Sequence, residues 1–518
     1  DQAVHRPTSQ SDPSAGKKRI RWEEALALQT VLAIRREEYR EHAATPRRAI
    51  DAGLLSALDA RLPFELTAGQ QEIGDVIAAE LAGEHPMHRL LQGEVGSGKT
   101  LVALRAMLKV VDAGGQAALL APTEVLAAQH ERSIRDLLGP LAADGIFSTS
   151  EQTTTVTLVT GSQSTAARRQ ALLDVASGQA GIVIGTHALL EDKVTFADLG
   201  LVVVDEQHRF GVEQRAALAA KAARGTRPHV LVMTATPIPR TVAITVFGDL
   251  DVSVLRELPA GRAPITTHVV PAAQKPGFLA RTWERVREEV VAGRQVYVVC
   301  PRITAGSATS ETDGVDAGFL ADEDAEQPLE MTSVEDLVPM PAAGPSKGLR
   351  IETLHGKMPA DEKDSVMRRF AAGTTGPERD RIDVLVATTV IEVGVDVPNA
   401  TVMVVMDADR FGVSQLHQLR GRVGRGGLPG LCLLVTNAPP DTEARERLDA
   451  VAATTDGFEL SKVDLQTRRE GDVLGADQSG RTSSLRVLSL LRDADIIVAA
   501  KDEADQIVSA DPNLTNHP

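Results

Sequence analysis

The chain has 518 residues, of which 43% are hydrophobic and 24% charged, which indicates a folded globular protein of about three or four domains. Its net charge of −16 and its aromatic content of 3% exclude nucleic-acid binding through bulk positive charge or through an aromatic stacking platform. The sequence has no apolar run of the roughly 18 residues that cross a bilayer, and residues 1–16 lack the apolar core of a signal peptide. We therefore expect a cytoplasmic protein without a membrane partner.

The chain opens with a polar segment and two predicted helices. Residues 22–40 carry apolar side chains at helical spacing, and residues 66–82 form a second amphipathic stretch in which Thr67 is placed to cap the helix. The polar segment and the first of these helices predict an N-terminal linker and helix region over 1–60.

Two stretches of alternating strand and helix patterns follow, at 61–256 and 257–438. Because short apolar runs alternate with amphipathic helical patterns in both, each stretch predicts a parallel sheet with helices on both faces. Residues 439–518 predict helices interrupted by a Gly-rich loop at 471–480. The predicted fold class is α/β, with two parallel-sheet domains in tandem and a C-terminal helical region.

The second stretch is interrupted by a long acidic segment at 303–347, in which Lys347 is the only basic residue. A connection this long and acidic inside a compact α/β domain favours a disordered insertion. A folded subdomain or a partner-docking loop is the alternative.

The chain has two cysteines, Cys300 and Cys432, each in an apolar run that predicts a buried strand. Two cysteines cannot form a disulfide framework or a zinc site. Both are therefore expected to be reduced thiols.

Residues 93–100, GEVGSGKT, fit the pattern G-x-x-x-x-G-K-[ST] and stand between an apolar strand pattern and a helical pattern. In such a loop the backbone N–H groups wrap phosphates at a helix N-terminus, the lysine adds a point charge and the last hydroxyl ligates Mg²⁺. The alternative is a chance Gly-rich turn. The residues predicted to bind ATP here are Gly93, Glu94, Gly96, Ser97, Gly98, Lys99 and Thr100, with Thr100 also a candidate Mg²⁺ ligand.

A second candidate site follows the apolar strand pattern at 201–204, which ends in Asp205 and Glu206. Ligands of open parallel sheets bind at the carboxyl ends of the strands. Asp205 is therefore predicted to hold Mg²⁺, and Glu206 to orient or deprotonate the attacking water. Taken alone, the acidic pair is equally compatible with a solvated turn, and the phosphate loop that precedes it favours catalysis.

Together these motifs resemble those of the superfamily 2 helicases and translocases, which implies two RecA-like domains with the nucleotide in the cleft between them. Gln70 resembles the adenine-contacting glutamine of that family. Residues 205–208, DEQH, resemble its DExH-type box, in which His208 is a coupling candidate or an ordinary hydrogen-bonding residue. Thr234 and Thr236 resemble the motif that couples nucleotide state to domain movement. The resemblance further implies DNA contacts at Pro122, Thr123, Thr160, Gly161 and Thr186.

In the second domain, residues 387–396 and 418–425 resemble the fifth and sixth motifs of the same superfamily. The implied roles are DNA contact by Thr388, nucleotide contact by Gly394 and Asp396, and coupling by Gln418.

Arg422 and Arg425 carry the chemistry of the sixth motif. They lie three residues apart, so on a helix they would share one face. A guanidinium delivered from there could contact the nucleotide and stabilise charge on the transferring phosphoryl group. A solvated basic helix end is the alternative.

Longer segments resemble the RecG family of branch-migrating DNA helicases, and these are DEQHRFGVEQR at 205–215, TATPIPRT at 234–241, IEVGVDVPNAT at 391–401 and DLQTRREGD at 464–472. The last resembles a translocation motif that RecG shares with the transcription-repair coupling factor. It implies that Arg468 and Arg469 link domain movement to duplex DNA, with an ordinary solvated arginine pair as the alternative. The predicted helix at 22–40 favours RecG. Members of that family carry a wedge domain before this point, and we expect this chain to be a piece without it.

The resemblance implies an ATP-dependent double-stranded DNA translocase and helicase that uses ATP and Mg²⁺. Such an enzyme branch-migrates Holliday junctions and regresses stalled replication forks in DNA recombination and repair. The implied partners are forks, Holliday junctions and duplex DNA, with single-strand binding protein as a further candidate, and a monomer is expected. Two alternatives stay open, namely a transcription-repair coupling translocase and a nucleotide-gated DNA-binding scaffold without turnover.

Overall fold

The structure is a computed structural model that describes most of the chain in separate ranges. These are residues 12–142, 153–205, 221, 225–235, 238–246, 248–257, 263–301, 348–373, 380–388, 397–467, 487–489, 492–512 and 514–515. Contacts divide the chain into two compact units, one of Asp1–Glu257 with Arg468–Pro518 and the other of Leu258–Thr467. The predicted insertion at 303–347 and the predicted Gly-rich loop at 471–480 lie outside the described residues.

The first unit begins with helices that the sequence partly predicts. Helix α1 (Asp12–Arg40) contains the predicted helix but begins earlier. The proline near its start does not prevent this, because the first turn of a helix tolerates proline. A short helix α2 (Leu54–Asp59) follows. Helix α3 (Ala68–Leu81) confirms the predicted cap, since the Thr67 hydroxyl accepts a hydrogen bond from the Gln70 backbone N–H at 3.3 Å.

Among the described residues, seven parallel strands form the sheet of this unit, in the order β3-β4-β2-β5-β6-β1-β7. The strands are β1 (His88–Gly93), β2 (Gln116–Leu120), β3 (Thr155–Val159), β4 (Ala180–Gly185), β5 (Leu199–Asp205), β6 (His229–Thr234) and β7 (Asp251–Leu255). The helices along this stretch are α4 (Lys99–Asp112), α5 (Glu124–Leu138), α6 (Thr165–Ala176) and α7 (Arg240–Val246). The apolar runs of the sequence correspond to β1 to β6, whereas β7 was not predicted. Strand β7 is an edge strand that is only partly buried, so it has no continuous apolar run.

The second unit repeats this architecture, with six parallel strands among its described residues in the order β10-β11-β9-β12-β13-β8. The strands are β8 (Ile265–Pro271), β9 (Gln295–Val299), β10 (Ile351–Leu354), β11 (Val384–Ala387), β12 (Ala400–Val405) and β13 (Gly430–Thr436). The helices are α8 (Pro276–Val291), α9 (Ala360–Ala372), α10 (Val413–Arg420), α11 (Glu443–Ala453) and α12 (Gly457–Thr467). Two parallel-sheet units in tandem confirm the predicted fold class. The edge strand β8 was missed because two exposed residues interrupt its apolar pattern.

The last helix, α13 (Ala494–Ala510), belongs to the first unit and packs on α1. Ala33 of α1 and Ala504 and Val508 of α13 share one buried cluster. At one end of this pair the Arg21 guanidinium lies 3.2 Å from the Asp493 carboxylate. The helical region predicted at 439–518 is thus divided between the two units. None of the helices within the described ranges has the length and apolarity to cross a membrane.

Both cysteines are free and buried, as predicted from their apolar surroundings. Cys432 lies within β13, and burial raises the pKa of its thiol to about 12. A thiol with such a pKa carries almost no thiolate near neutral pH and is a poor nucleophile. Cys432 therefore has a packing role.

His229 is a buried histidine at the start of β6, with 1% of its surface exposed. Its Nδ1 accepts a hydrogen bond from the Met87 backbone N–H at 3.0 Å. Burial lowers the pKa of its imidazole from 6.5 to about 4. The ring is therefore neutral in the folded protein at neutral pH.

This histidine is expected to make the first unit less stable in mild acid. The unfolded chain binds a proton near the ordinary pKa of histidine and the folded chain binds it only near pH 4, so the free energy of unfolding falls as the pH drops between these values. From pH 7 to pH 5 the loss from His229 is about 2 kcal/mol. His229→Asn keeps an acceptor for the Met87 N–H without the titration. Urea unfolding at both pH values should show a smaller loss in that variant, and equal losses would contradict the assignment.

Candidate functional site

The predicted site residues of the first unit follow the carboxyl ends of its strands. Gln92 of β1 pairs with Thr234 of β6, and Asp205 of β5 pairs with Met233 of β6. Asp205, Thr234 and the start of the phosphate loop therefore lie at nearly the same level of the sheet. Because all paired strands of this sheet are parallel, the segments that follow β2, β3 and β4 emerge at the same end of the sheet, the carboxyl ends of the strands. This end of the sheet is called the carboxyl edge below.

The phosphate loop at 93–100 needs its glycines for steric reasons. Gly96 has φ 87° and Gly98 has φ 88°, which is a left-handed conformation that other residues adopt only with strain. A Cβ on Gly93 would lie 2.7 Å from the Ser97 Oγ and 2.9 Å from the Leu255 carbonyl oxygen. The three glycines of the motif are thus required by the backbone geometry of the loop.

Lys99 is the first residue of α4 and its ammonium group lies inside the phosphate loop. Its Nζ donates hydrogen bonds to the carbonyl oxygens of Gly93 at 2.7 Å and Glu94 at 2.9 Å. The first turn of α4 contains no acidic residue, so the positive end of the helix is not neutralised there. Such an arrangement suits a phosphate group.

Gln70 is buried against this loop, with 2% of its surface exposed. Its Nε2 donates to the Ser97 carbonyl oxygen at 2.9 Å, and its Oε1 accepts from the Thr67 N–H at 3.1 Å. The same side chain therefore caps α3 and holds the loop. Its contact with adenine stays a prediction.

Asp205 is the last residue of β5, and its Oδ2 lies 2.7 Å from the Nε2 of His130 on α5. The two side chains are 15% and 12% exposed. The Asp205 carboxylate and the Thr100 hydroxyl offer the oxygen ligands that Mg²⁺ prefers, so the residues fit the ion. In the part of the chain that the structure describes, His, Cys, Asp and Glu form no cluster of three that could hold a metal. Mg²⁺ usually keeps several waters and binds substrate phosphates beside one or two protein ligands, so phosphate and water suit its other positions.

Sequence reasoning missed Gln92, which is 1% exposed at the end of β1. Its Oε1 accepts a hydrogen bond from the Ile238 N–H at 3.0 Å. Because Ile238 follows the TATP segment, Gln92 ties that segment to the strand that enters the phosphate loop. A polar residue within the apolar run of β1 is the signal that could have found it.

The described candidate DNA-contacting residues of the first unit follow the carboxyl ends of β2, β3 and β4. Thr123 caps α5, and its hydroxyl accepts from the Leu126 N–H at 3.3 Å. The Oε1 of Glu124 accepts hydrogen bonds from the backbone N–H groups of Gly161 at 2.8 Å and Ser162 at 3.2 Å. Glu124 thus joins the segments that follow β2 and β3.

The remaining residues of this group differ in exposure. Thr160 and Thr186 are buried, with 3% and 1% of their surfaces exposed. Pro122 is half-buried and Gly161 is exposed. A ligand at this edge could therefore reach Pro122 and the backbone of Gly161 directly, whereas the two threonine side chains can only shape the segments that contain them.

In the second unit, the prediction that Arg422 and Arg425 share a helical face is wrong. Helix α10 ends at Arg420, and Gly424 has a left-handed φ of 73°, which a helix cannot contain. Both arginines lie in the segment after the helix and are half-buried. The Nε of Arg425 donates to the Gly421 carbonyl oxygen at 3.0 Å, so the end of the helix holds its side chain.

Arg420 of the same motif has a structural role. It is 2% exposed, and its Nη1 donates to the carbonyl oxygens of Val451 at 2.8 Å and Thr454 at 2.7 Å. These hydrogen bonds connect the end of α10 to the end of α11. Gln418 is half-buried on α10, and Thr388 is buried directly after β11.

Seven predicted site residues lie outside the described residues, and their roles stay predictions. They are Glu206, His208, Thr236, Gly394, Asp396, Arg468 and Arg469.

Two parallel-sheet units, the first with a glycine-lined loop between its β1 and α4, define the tandem RecA-like helicase fold. Family models match three parts of the chain, namely DEAD/DEAH box helicase at 67–244, helicase conserved C-terminal domain at 331–427, and ATP-dependent DNA helicase RecG, domain 3, C-terminal at 454–518.

Nearly the whole chain is similar to individual RecG proteins and to one solved RecG structure. The chain is 54% identical over 96% of its length to the ATP-dependent DNA helicase RecG of Mycobacterium tuberculosis, and it spans 65% of that relative. It is 41% identical over 98% of its length to RecG of Streptococcus pneumoniae, of which it spans 68%. A solved structure of RecG bound to a three-way DNA junction matches with a TM-score of 0.71 and 35% identity, over 96% of this chain and 58% of that one. The chain belongs to the RecG family.

Proposed function

We propose that the chain is the ATP-driven motor of a helicase that translocates on double-stranded DNA, branch-migrates Holliday junctions and regresses stalled replication forks in recombination and repair. This proposal rests on the carboxyl edge of the first sheet. The phosphate loop and Asp205 lie at one part of that edge, and the candidate DNA-contacting segments lie at the other part. The relatives named ATP-dependent DNA helicase support the use of ATP. The RecG structure with a three-way junction supports branched DNA as the ligand.

The phosphate loop and the two candidate metal ligands would bind the nucleotide together. Lys99 and the N-terminus of α4 would attract the phosphates. Gln70 would contact the adenine. Thr100 and Asp205 would hold Mg²⁺, which, when bound, neutralises charge on the phosphates. Glu206 would orient the attacking water, while Arg422 and Arg425 stabilise the charge on the transferred phosphoryl group.

The coupling of hydrolysis to movement would use contacts near the same edge. Gln92 ties the segment after Thr234 to the strand that enters the loop, so a change at the phosphates can reach that segment. Arg468 and Arg469 would act on duplex DNA. Single-strand binding protein as a partner and a monomeric state belong to this proposal as well.

Two other functions receive less support. A transcription-repair coupling translocase is disfavoured because the model for the C-terminal domain of RecG matches 454–518. A binding scaffold without turnover is disfavoured because the chain has Lys99, Glu206, Arg422 and Arg425.

The proposal is tested by the displacement of a third strand from a DNA triplex that is flanked by duplex. We expect the chain to displace the third strand in the presence of ATP and Mg²⁺, and Lys99→Ala to serve as the inactive control. Displacement needs movement along duplex DNA and no junction. Hydrolysis of ATP without displacement, on duplex arms of any length, would contradict translocation.

A further inference from the structure

His130 and Asp205 form a side-chain contact in the first unit to which the proposed function gives no role. The Nε2 of His130 lies 2.7 Å from the Oδ2 of Asp205, and both side chains are largely buried. An ionised carboxylate only accepts hydrogen bonds, so the Nε2 must carry the proton that is shared with Asp205. The bond therefore fixes the rotation of the carboxylate at the end of β5.

We propose that His130 is a positioning residue that orients the Asp205 carboxylate for Mg²⁺. This inference rests on the proposed function, because it takes Asp205 as the ligand of the ion. Carboxylates that hold metals are themselves commonly held by hydrogen bonds, and loss of such a partner weakens metal binding by about 10- to 100-fold. The oxygen that accepts from His130 retains a second lone pair, so the bond does not exclude the ion.

Helix α5 carries both His130 and residues that contact the candidate DNA segments. The same helix is capped by Thr123, and its first residue, Glu124, binds the backbone of Gly161 and Ser162. One rigid helix thus contacts the candidate DNA segments at its start and the candidate metal ligand further along. Through His130, α5 contacts Asp205 at the end of β5.

The test measures the equilibrium binding of Mn²⁺, which replaces Mg²⁺ as a paramagnetic probe, to the whole chain. The chain is saturated with ATPγS, an ATP analogue that is hydrolysed slowly. We expect His130→Leu, which removes the donor and keeps the bulk, to weaken Mn²⁺ binding by about 10- to 100-fold. ATPγS binding in EDTA should not change. His130→Gln can place an N–H near the same point and should recover most of the Mn²⁺ affinity. His85→Leu is the matched control, because His85 is exposed and precedes β1 at the opposite edge of the sheet.

The outcomes separate this inference from the function on which it rests. Equal Mn²⁺ affinity in His130→Leu and the unsubstituted chain would overturn the positioning role alone. Equally weak binding in His130→Gln and His130→Leu would also overturn it, since the donor would then be irrelevant. Failure of the unsubstituted chain to bind ATPγS at all would overturn the proposed function together with it.

Discussion

Replacement of Lys99 by alanine is expected to reduce ATP hydrolysis to the level of a blank without enzyme. The ammonium group lies among the carbonyl oxygens of the phosphate loop and is the positive side chain of that loop. Its removal takes away the charge that compensates the phosphates during transfer. Steady-state release of inorganic phosphate, with saturating ATP, Mg²⁺ and duplex DNA, measures the loss.

Lys99→Ala needs a control for charge and for folding. Lys18→Ala removes one positive charge from an exposed position of α1 and should leave turnover unchanged. Thermal unfolding of Lys99→Ala should stay close to that of the unsubstituted chain, because the glycine geometry of the loop is retained. Turnover in Lys99→Ala equal to that in Lys18→Ala would show that the site is assigned wrongly.

The second large effect is expected for Arg425→Ala, which should slow turnover by about 10³-fold or more and leave nucleotide binding almost intact. A guanidinium that acts on the transferring group is needed in the transition state and much less in the bound ground state. The structure supports a defined position for this side chain, because its Nε is held by the Gly421 carbonyl oxygen. The turnover number and the affinity for a fluorescent nucleotide are measured separately.

Arg445→Ala provides the control for Arg425→Ala. Arg445 lies on α11 in the same unit and forms an ion pair with Asp449 at 3.2 Å, four residues further along the helix. Exposed pairs of this kind contribute little to stability, so neither turnover nor binding should change. If Arg425→Ala weakened nucleotide binding and kept the turnover number, the residue would bind the ground state, and the transition-state role would be refuted.

Much of the first unit could be predicted because local sequence rules and the fold agree there. The cap at Thr67 and the glycines of the phosphate loop follow from the backbone geometry that each position requires. Most strands of this sheet are buried along nearly their whole length and have apolar runs, so they were found. The edge strand β3 was found as well, because most of its residues are buried. The edge strands β7 and β8 face solvent in part, so their sequences lack that pattern.

The parts that sequence reasoning missed depend on contacts between distant segments. The bond between His130 and Asp205 joins a helix to a strand 75 residues away, and no local pattern marks it. Gln92 reaches Ile238 over a still longer separation. The end of α10 was misjudged because three-residue spacing predicts a shared face only if the helix continues. Gly421 and the left-handed Gly424 prevent that continuation.

We propose above all that DNA controls ATP hydrolysis by this chain, and steady-state ATP hydrolysis with different nucleic acids tests that claim most directly. The chain is assayed with no nucleic acid, single-stranded DNA, linear duplex, a four-way junction and RNA, with Lys99→Ala as the blank. We predict low hydrolysis without DNA and strong stimulation by duplex or branched DNA. Hydrolysis that DNA does not change, or that RNA stimulates more than DNA, would contradict the claim.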